Sequence, residues 1–293
     1  MAEATAKTPR VPKTPCEGCG KQVAGILLPE FLSKDLERAL SSAAGAEERG
    51  NVRFIPRRYC DRCDEANRAR NRIAERARTL EHALARAGAT PRLLAQTLDS
   101  HPDEKAREAA ETWVRSYLGG VRANLWLRGP VGTGKTGLAW GIARRLAESS
   151  VDRYLALPED ERPDGPRNVS LFVVWRDLLD ELRASFQLAE KMEISEDPHN
   201  LLARVRRIAV LVLDDLGAER PTHYALEQLS IVVDQRYNRN LPTIVTTNYS
   251  SQELAAVLGG EEAMIGRRIV SRLTDGAVGY EFVGKSRRRA ANG

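Results

Sequence analysis

Trp126-Leu127-Arg128-Gly129-Pro130-Val131-Gly132-Thr133-Gly134-Lys135-Thr136 carries the strongest structural signal in the chain. From Gly129 to Thr136 it spells G-x-x-x-x-G-K-T. An apolar run, Leu125 to Leu127, precedes it, and Leu138, Ile142 and Leu146 mark one face of a helix after it. Strand, glycine loop and helix form the context that a phosphate-binding loop needs. Gly132 and Gly134 let backbone N–H groups close around phosphate oxygens with no Cβ in the way. A helix starting near Lys135 points the positive end of its dipole at the same anion. The pattern puts Lys135 on the β- and γ-phosphates and the Thr136 hydroxyl on Mg²⁺. Gly129, Pro130, Val131 and Thr133 complete the cradle. The alternative is a glycine-rich turn with no ligand; the full pattern in this context favours a bound nucleoside triphosphate.

Ile208-Ala209-Val210-Leu211-Val212-Leu213-Asp214-Asp215 is the second anchor. An apolar run ending in acids predicts a central parallel strand whose C-terminal end opens on the ligand. Asp214 is expected to hold Mg²⁺, directly or through water, and Asp215 to polarise an attacking water. Pro242 to Asn248 predicts another core strand, and Asn248 at its end is placed to orient that water; the competing reading is a plain turn residue. Ile265 to Leu273 predicts a helix on which Arg268 and Arg272, four residues apart, share a face. An arginine so placed can reach the γ-phosphate bound by a neighbouring subunit, whereas the bland reading is a surface helix with scattered cations.

Four cysteines fall in two pairs, Cys16-x-x-Cys19 and Cys60-x-x-Cys63. Each pair predicts a tight knuckle aiming two thiolates at one tetrahedral centre, and two knuckles complete a closed four-sulfur Zn²⁺ site. A closed site has no open coordination position, so the metal is structural. Unrelated free thiols are the alternative; a redox pair is disfavoured, because no βαβ pattern surrounds either knuckle. Between the knuckles, Leu27, Leu28, Phe31, Leu32, Leu36 and Leu40 suggest a small helix, and Val52 and Phe54 a returning strand.

The chain has 293 residues, 42% hydrophobic and 29% charged, with a net charge of +5. This composition is that of a globular protein, and the modest basic excess is compatible with nucleic-acid contact without requiring it. No apolar run approaches the ~18 residues of a membrane span, which predicts a cytoplasmic chain with no membrane partner. In order, the expected parts are a disordered tail over 1–14, a zinc-binding docking domain over 15–66, a helical linker over 67–94, an ATPase domain over 95–284 and a basic tail over 285–293. Asp64 to Ala87 reads as a long Arg-rich helix, either a charged connector or a surface for nucleic acid or a partner. Asp103 opens a second helix carrying Trp113, Val114 and Tyr117. Val151 to Asn168 and Glu190 to His199 read as loops, and Pro221 to Asn240 as a helix with Leu226, Leu229, Val233 and Tyr237 on one side.

Taken together, G-P-V-G-T-G-K-T, V-L-V-L-D-D-L-G-A-E, T-I-V-T-T-N and G-R-R-I-V-S-R-L resemble the AAA+ ATPases of the DnaC/DnaI kind, which load the bacterial replicative helicase. The resemblance covers about residues 95 to 289. It implies an α/β fold, a AAA+ P-loop NTPase core with a parallel sheet flanked by helices, preceded by a zinc-binding domain and a helical linker. It implies ATP and Mg²⁺ as ligands, Asn248 as sensor, Arg272 as arginine finger with Arg268 beside it, and Arg288 in a second sensing position. The implied partners are a hexameric replicative DNA helicase, single-stranded DNA and further copies of the chain. Two other readings stand beside it: a transposition helper of the IstB kind, which shares the core motifs, and a zinc-dependent adaptor with a non-cycling nucleotide scaffold. The usual Walker B acid pair is Asp-Glu; here it is Asp214-Asp215, and the shorter acid implies slow hydrolysis.

Overall fold

The computed structural model describes residues 11–27, 47–49, 52–55, 57–180, 198–219, 221–260 and 263–284. The chain divides into two compact units, Met1–Glu75 and Arg76–Gly293.

In the first unit, β1 (Lys13–Pro15) pairs antiparallel with β2 (Gln22–Ala24), bringing Thr14 opposite Val23. The turn between them is the first cysteine knuckle. β3 (Ile26–Leu27), β4 (Glu47–Arg49) and β5 (Val52–Ile55) form an antiparallel sheet in the order β3-β5-β4. The second knuckle leads into α1 (Asp61–Arg86), with Asp61 and Asp64 in its first turn, where carboxylates suit the helix dipole.

The second unit is built on five parallel strands: β6 (Leu125–Arg128), β7 (Ser170–Val174), β8 (Val210–Asp214), β9 (Thr243–Thr247) and β10 (Val278–Glu281). Their order is β10-β6-β9-β8-β7. β8 and β9 are buried along their whole length, as expected for strands covered on both faces by helices. α2 (Pro91–Leu94) and α3 (Glu104–Leu118) precede the sheet; the Asp103 carboxylate caps α3 by accepting the Ala106 N–H at 3.1 Å. α4 (Lys135–Leu155) follows β6, α5 (Pro198–Arg207) precedes β8, and α6 (His223–Asn238) connects β8 to β9. α7 (Ser251–Gly259) and α8 (Ala263–Thr274) lead into β10. Trp140, Leu138, Ile142 and Phe172 belong to the core that α4 fills, while Leu211, Leu213, Leu229 and Ile269 belong to a second core, one that includes buried residues of α6 and α8.

At the first β-strand of this sheet the chain turns sharply enough to require glycine. Gly129 has φ 145°, and a Cβ there would lie 2.5 Å from the Phe282 carbonyl oxygen. Among the described residues no helix is long and apolar enough to cross a membrane.

Several boundaries differ from the sequence reading. Lys13 and Thr14 belong to β1 rather than to a tail. Leu27 lies in β3; residues 28–46, where a small helix was expected, fall outside the described residues, as do 1–10, 190–197 and the basic tail from Lys285. α1 begins three residues earlier than Asp64, because its first turn closes on the knuckle: the Asp64 N–H donates to the Cys60 carbonyl at 2.8 Å. Val151 to Leu155 continue α4, since Val151 is fully buried and extends its apolar face. His199 lies within α5, not in a loop. In α6 Tyr237 is exposed and leaves the Leu226, Leu229 and Val233 stripe; its hydroxyl donates to Asp275 at 2.7 Å.

Candidate functional site

The glycine loop from Gly129 to Gly134 connects β6 to the first turn of α4. Gly132 (φ 80°) and Gly134 (φ 109°) adopt left-handed backbone conformations that side-chain-bearing residues resist. Lys135 is only 7% exposed. Its ammonium donates to three neutral oxygens: the Gly129 carbonyl at 2.7 Å, the Pro130 carbonyl at 2.8 Å and Asn248 Oδ1 at 2.8 Å. The Thr133 hydroxyl closes the loop by donating to the Pro130 carbonyl at 2.9 Å, and Val131 lies exposed at the loop tip.

β8 delivers the acids. Asp214 is 4% exposed and faces the Thr136 hydroxyl, which donates to its Oδ2 at 3.1 Å. Burial raises the Asp214 carboxyl above its ordinary range, against hydrogen bonds from Thr246 and Thr136 that pull it down. A hydroxyl and a carboxylate at this separation form the hard oxygen donor pair that suits Mg²⁺. Asp215 follows in a left-handed conformation, φ 57°, which Asp tolerates better than most residues. Asn248, just beyond β9, links the two halves of the site: its Oδ1 accepts from the Lys135 ammonium, and its Nδ2 donates to Asp215 Oδ1 at 3.4 Å. A cavity of about 790 Å³ opens on this cluster, lined by Gly132, Lys135, Thr136, Asp214 and Asp215 and continuing to Thr90, Leu93 and Phe172.

Arg268 and Arg272 stand apart from the cluster. Both guanidinium groups pair with the Asp234 carboxylate of α6 in the same chain, and Arg272 lies over the Tyr237 ring at 5.6 Å. Arg288 falls outside the described residues.

Two residues of the site escape a reading by motif. His101 is 5% exposed and approaches the loop from the segment before α3; its Nε2 lies 3.2 Å from the Gly134 carbonyl. The Asp103 N–H reaches Nδ1 at 3.3 Å, tying the ring to the N-terminus of α3 as well as to the loop. A Cβ on Gly134 would meet His101 Nε2 at 2.7 Å, so the close approach of the histidine also requires glycine here. The second is Thr246, whose hydroxyl donates to Asp214 Oδ1 at 2.6 Å. No local pattern marks either one; only the pairing of distant segments does.

In the first unit Cys16, Cys19, Cys60 and Cys63 meet, with all four sulfurs within 4.8 Å of one another. Cys19 and Cys60 Sγ are 3.8 Å apart. A tetrahedral centre with Zn–S bonds of about 2.3 Å needs sulfurs about 3.8 Å apart, so the cluster fits the metal. The knuckles are locked by backbone bonds: Gly20 N–H to the Cys16 carbonyl at 2.8 Å, and Glu17 N–H to the Arg58 carbonyl at 2.8 Å. The Cys60 N–H draws the Cys16 thiol down to about 6, while bonds to Cys60, Cys19 and Cys16 push Cys63 up to about 12. A dication at the centre of the four sulfurs would favour the thiolate form of each ligand it binds.

The sheet order, the glycine loop and the strand-end acids define a AAA+ P-loop NTPase fold. Among solved structures, that of DnaI is 29% identical over 68% of this chain and 94% of its own, with a TM-score of 0.51. That of the DnaC helicase loader is 25% identical over 66% of this chain and 100% of its own, TM-score 0.46, and that of AMPPCP-bound DnaA from Aquifex aeolicus is 17% identical over 68% and 53%, TM-score 0.47. No protein-family model and no curated protein matches the sequence. Within the AAA+ class the chain is similar to the DnaC/DnaI-like family, as the sequence motifs implied.

Proposed function

We propose that this chain is an ATP-dependent loader of the replicative DNA helicase onto single-stranded DNA. The likeness to DnaI carries this reading. The site supports the ATPase part. Gly129 to Thr136 would cradle the triphosphate, with the Lys135 ammonium exchanging its neutral oxygen partners for phosphate oxygens. Thr136 and Asp214 would hold Mg²⁺, which would neutralise phosphate charge there. Asp215 would take the proton of the attacking water while Asn248 orients it. Arg272, with Arg268 beside it, would leave Asp234 and reach the γ-phosphate of a neighbouring copy, linking ATP to self-association.

The four cysteines would hold Zn²⁺ and so order residues 15–66 as the helicase-docking domain, with 67–94 as a helical linker and 95–284 as the ATPase domain. ATP binding would favour the assembled loader and hydrolysis its release. The short acid at position 215 suits a slow switch.

The test is a loading assay in which the cognate helicase must unwind a forked duplex from single-stranded DNA coated with binding protein. The parent chain is expected to stimulate unwinding with ATP. Asp215→Ala is expected to bind ATP as tightly as the parent and to lose turnover; unchanged turnover would remove Asp215 from the mechanism. ATP-dependent filaments on duplex DNA without helicase stimulation would favour the transposition-helper reading.

A further inference from the structure

We infer that Thr246 is a positioning residue for both acids of the site, a role that rests on the nucleotide-binding reading above. Thr246 is 1% exposed, in the middle of the sheet on β9. Its one hydroxyl meets two partners. Asp214 Oδ1 lies 2.6 Å away and the Asp215 backbone nitrogen 2.8 Å away. Proton counting fixes the direction of both bonds. The Asp215 N–H brings its own proton, so the hydroxyl must accept there and spend its single proton on Asp214.

The consequence is geometric. Asp214 Oδ1 is held by Thr246 and Oδ2 by Thr136, so the carboxylate plane is clamped from both ends, with Oδ2 facing the glycine loop. The turn that follows is held by the same strand. The Leu216 N–H donates to the Thr246 carbonyl at 2.9 Å, and the Thr247 hydroxyl donates to the Leu216 carbonyl at 2.8 Å. Asp215, between these bonds, has φ 57°, a conformation that persists only where the surroundings over-determine it. Thr246 thus orients Asp214 toward the metal position and holds Asp215 in the turn that aims its carboxyl at Asn248. Metal ligands are commonly oriented by such outer partners.

Three variants separate this role from simple packing. Thr246→Val keeps the shape and removes both bonds; Thr246→Ser keeps the hydroxyl and removes a methyl; Thr246→Ala removes both. Each is titrated with a fluorescent ATP analogue, with and without Mg²⁺, and assayed for ATP hydrolysis, with thermal melting as the control for folding. Val and Ala are expected to lose the Mg²⁺-dependent gain in affinity by about tenfold or more, the scale of a lost buried hydrogen bond to a charged group. Their affinity without Mg²⁺ stays within about twofold of the parent, because Lys135 and the glycine loop are untouched, and kcat falls further than KM rises. Ser restores all three. If Val does not fold, the Ala–Ser pair carries the same comparison. Parent-like Mg²⁺ dependence and turnover in a folded Val or Ala variant overturns the inference, as does a folded Ser variant as impaired as Ala. If the parent itself fails to bind the Mg²⁺ nucleotide, the nucleotide-site reading falls, and this inference with it.

Discussion

The two units of this chain reach order by opposite means. In the second, a five-stranded sheet whose inner strands β8 and β9 are buried along their whole length positions the glycine loop and the strand-end acids, with Leu211, Val212, Ile244 and Val245 completely buried beneath them. In the first, the hydrophobic residues buried among described side chains are Cys16 and Val23, one a knuckle ligand and the other on the strand beside it. Among the described side chains of this unit, the packing of these two alone is too little to offset the entropy of folding. Four convergent thiols supply the alternative, because binding free energy at a structural metal is folding free energy. The candidate nucleotide site is a groove on a packed core; in the first unit the described side-chain contacts centre on the cysteines.

The sharpest way to break this contrast is to attack each site and watch the other. Replacing Cys60 and Cys63 by Ser is expected to abolish zinc, measured as one metal per parent chain by elemental mass spectrometry, and to leave the first unit open to rapid proteolysis. ATP binding by the second unit should stay within about twofold of the parent, since its core is independent of the metal. Zinc-free protein with an intact, protease-resistant first unit would show that the metal does not hold this unit together. Next in size, Lys135→Ala should weaken ATP about 100-fold in a binding titration, the scale of a lost buried charged contact, with zinc content and melting temperature unchanged.

The smallest effect runs the other way. Burial raises the Asp214 carboxyl above its ordinary range. A raised folded-state value means that the folded chain binds the proton more tightly than the unfolded one, so stability increases as pH falls through that value and the buried charge is a cost at neutral pH. Asp214→Asn should therefore raise the melting temperature of the nucleotide-free protein at pH 7 by about 2 °C and narrow its difference from pH 5, while abolishing the Mg²⁺ dependence of nucleotide binding. A lower melting temperature would show that Asp214 supports the fold rather than being tolerated for function.

Much of this was legible in the sequence because the signals are local. G-x-x-x-x-G-K-T, the acid-tipped apolar run to Asp215, the strand ending before Asn248 and the paired cysteines each declare themselves within a few residues. What escaped depends on contacts between distant segments. His101 meets the glycine loop from 33 residues away, and Thr246 meets Asp214 from 32 residues away. A histidine before a helix cap or a threonine in a β-rich run carries no mark of such a role. Arg268 and Arg272 were legible as a same-face pair, but their shared partner Asp234 sits on another helix. Tyr237 fell on the apolar stripe of α6 by spacing, yet its hydroxyl draws it outward to Asp275.

Mass photometry of the purified chain with the replicative helicase of its source, with and without ATP and Mg²⁺, decides whether this chain docks on a helicase. A complex of fixed stoichiometry with the helicase is expected, changed in size by nucleotide and lost in the Cys60→Ser, Cys63→Ser protein. No complex under any nucleotide condition, from protein that holds its zinc and binds ATP, would rule out a helicase loader.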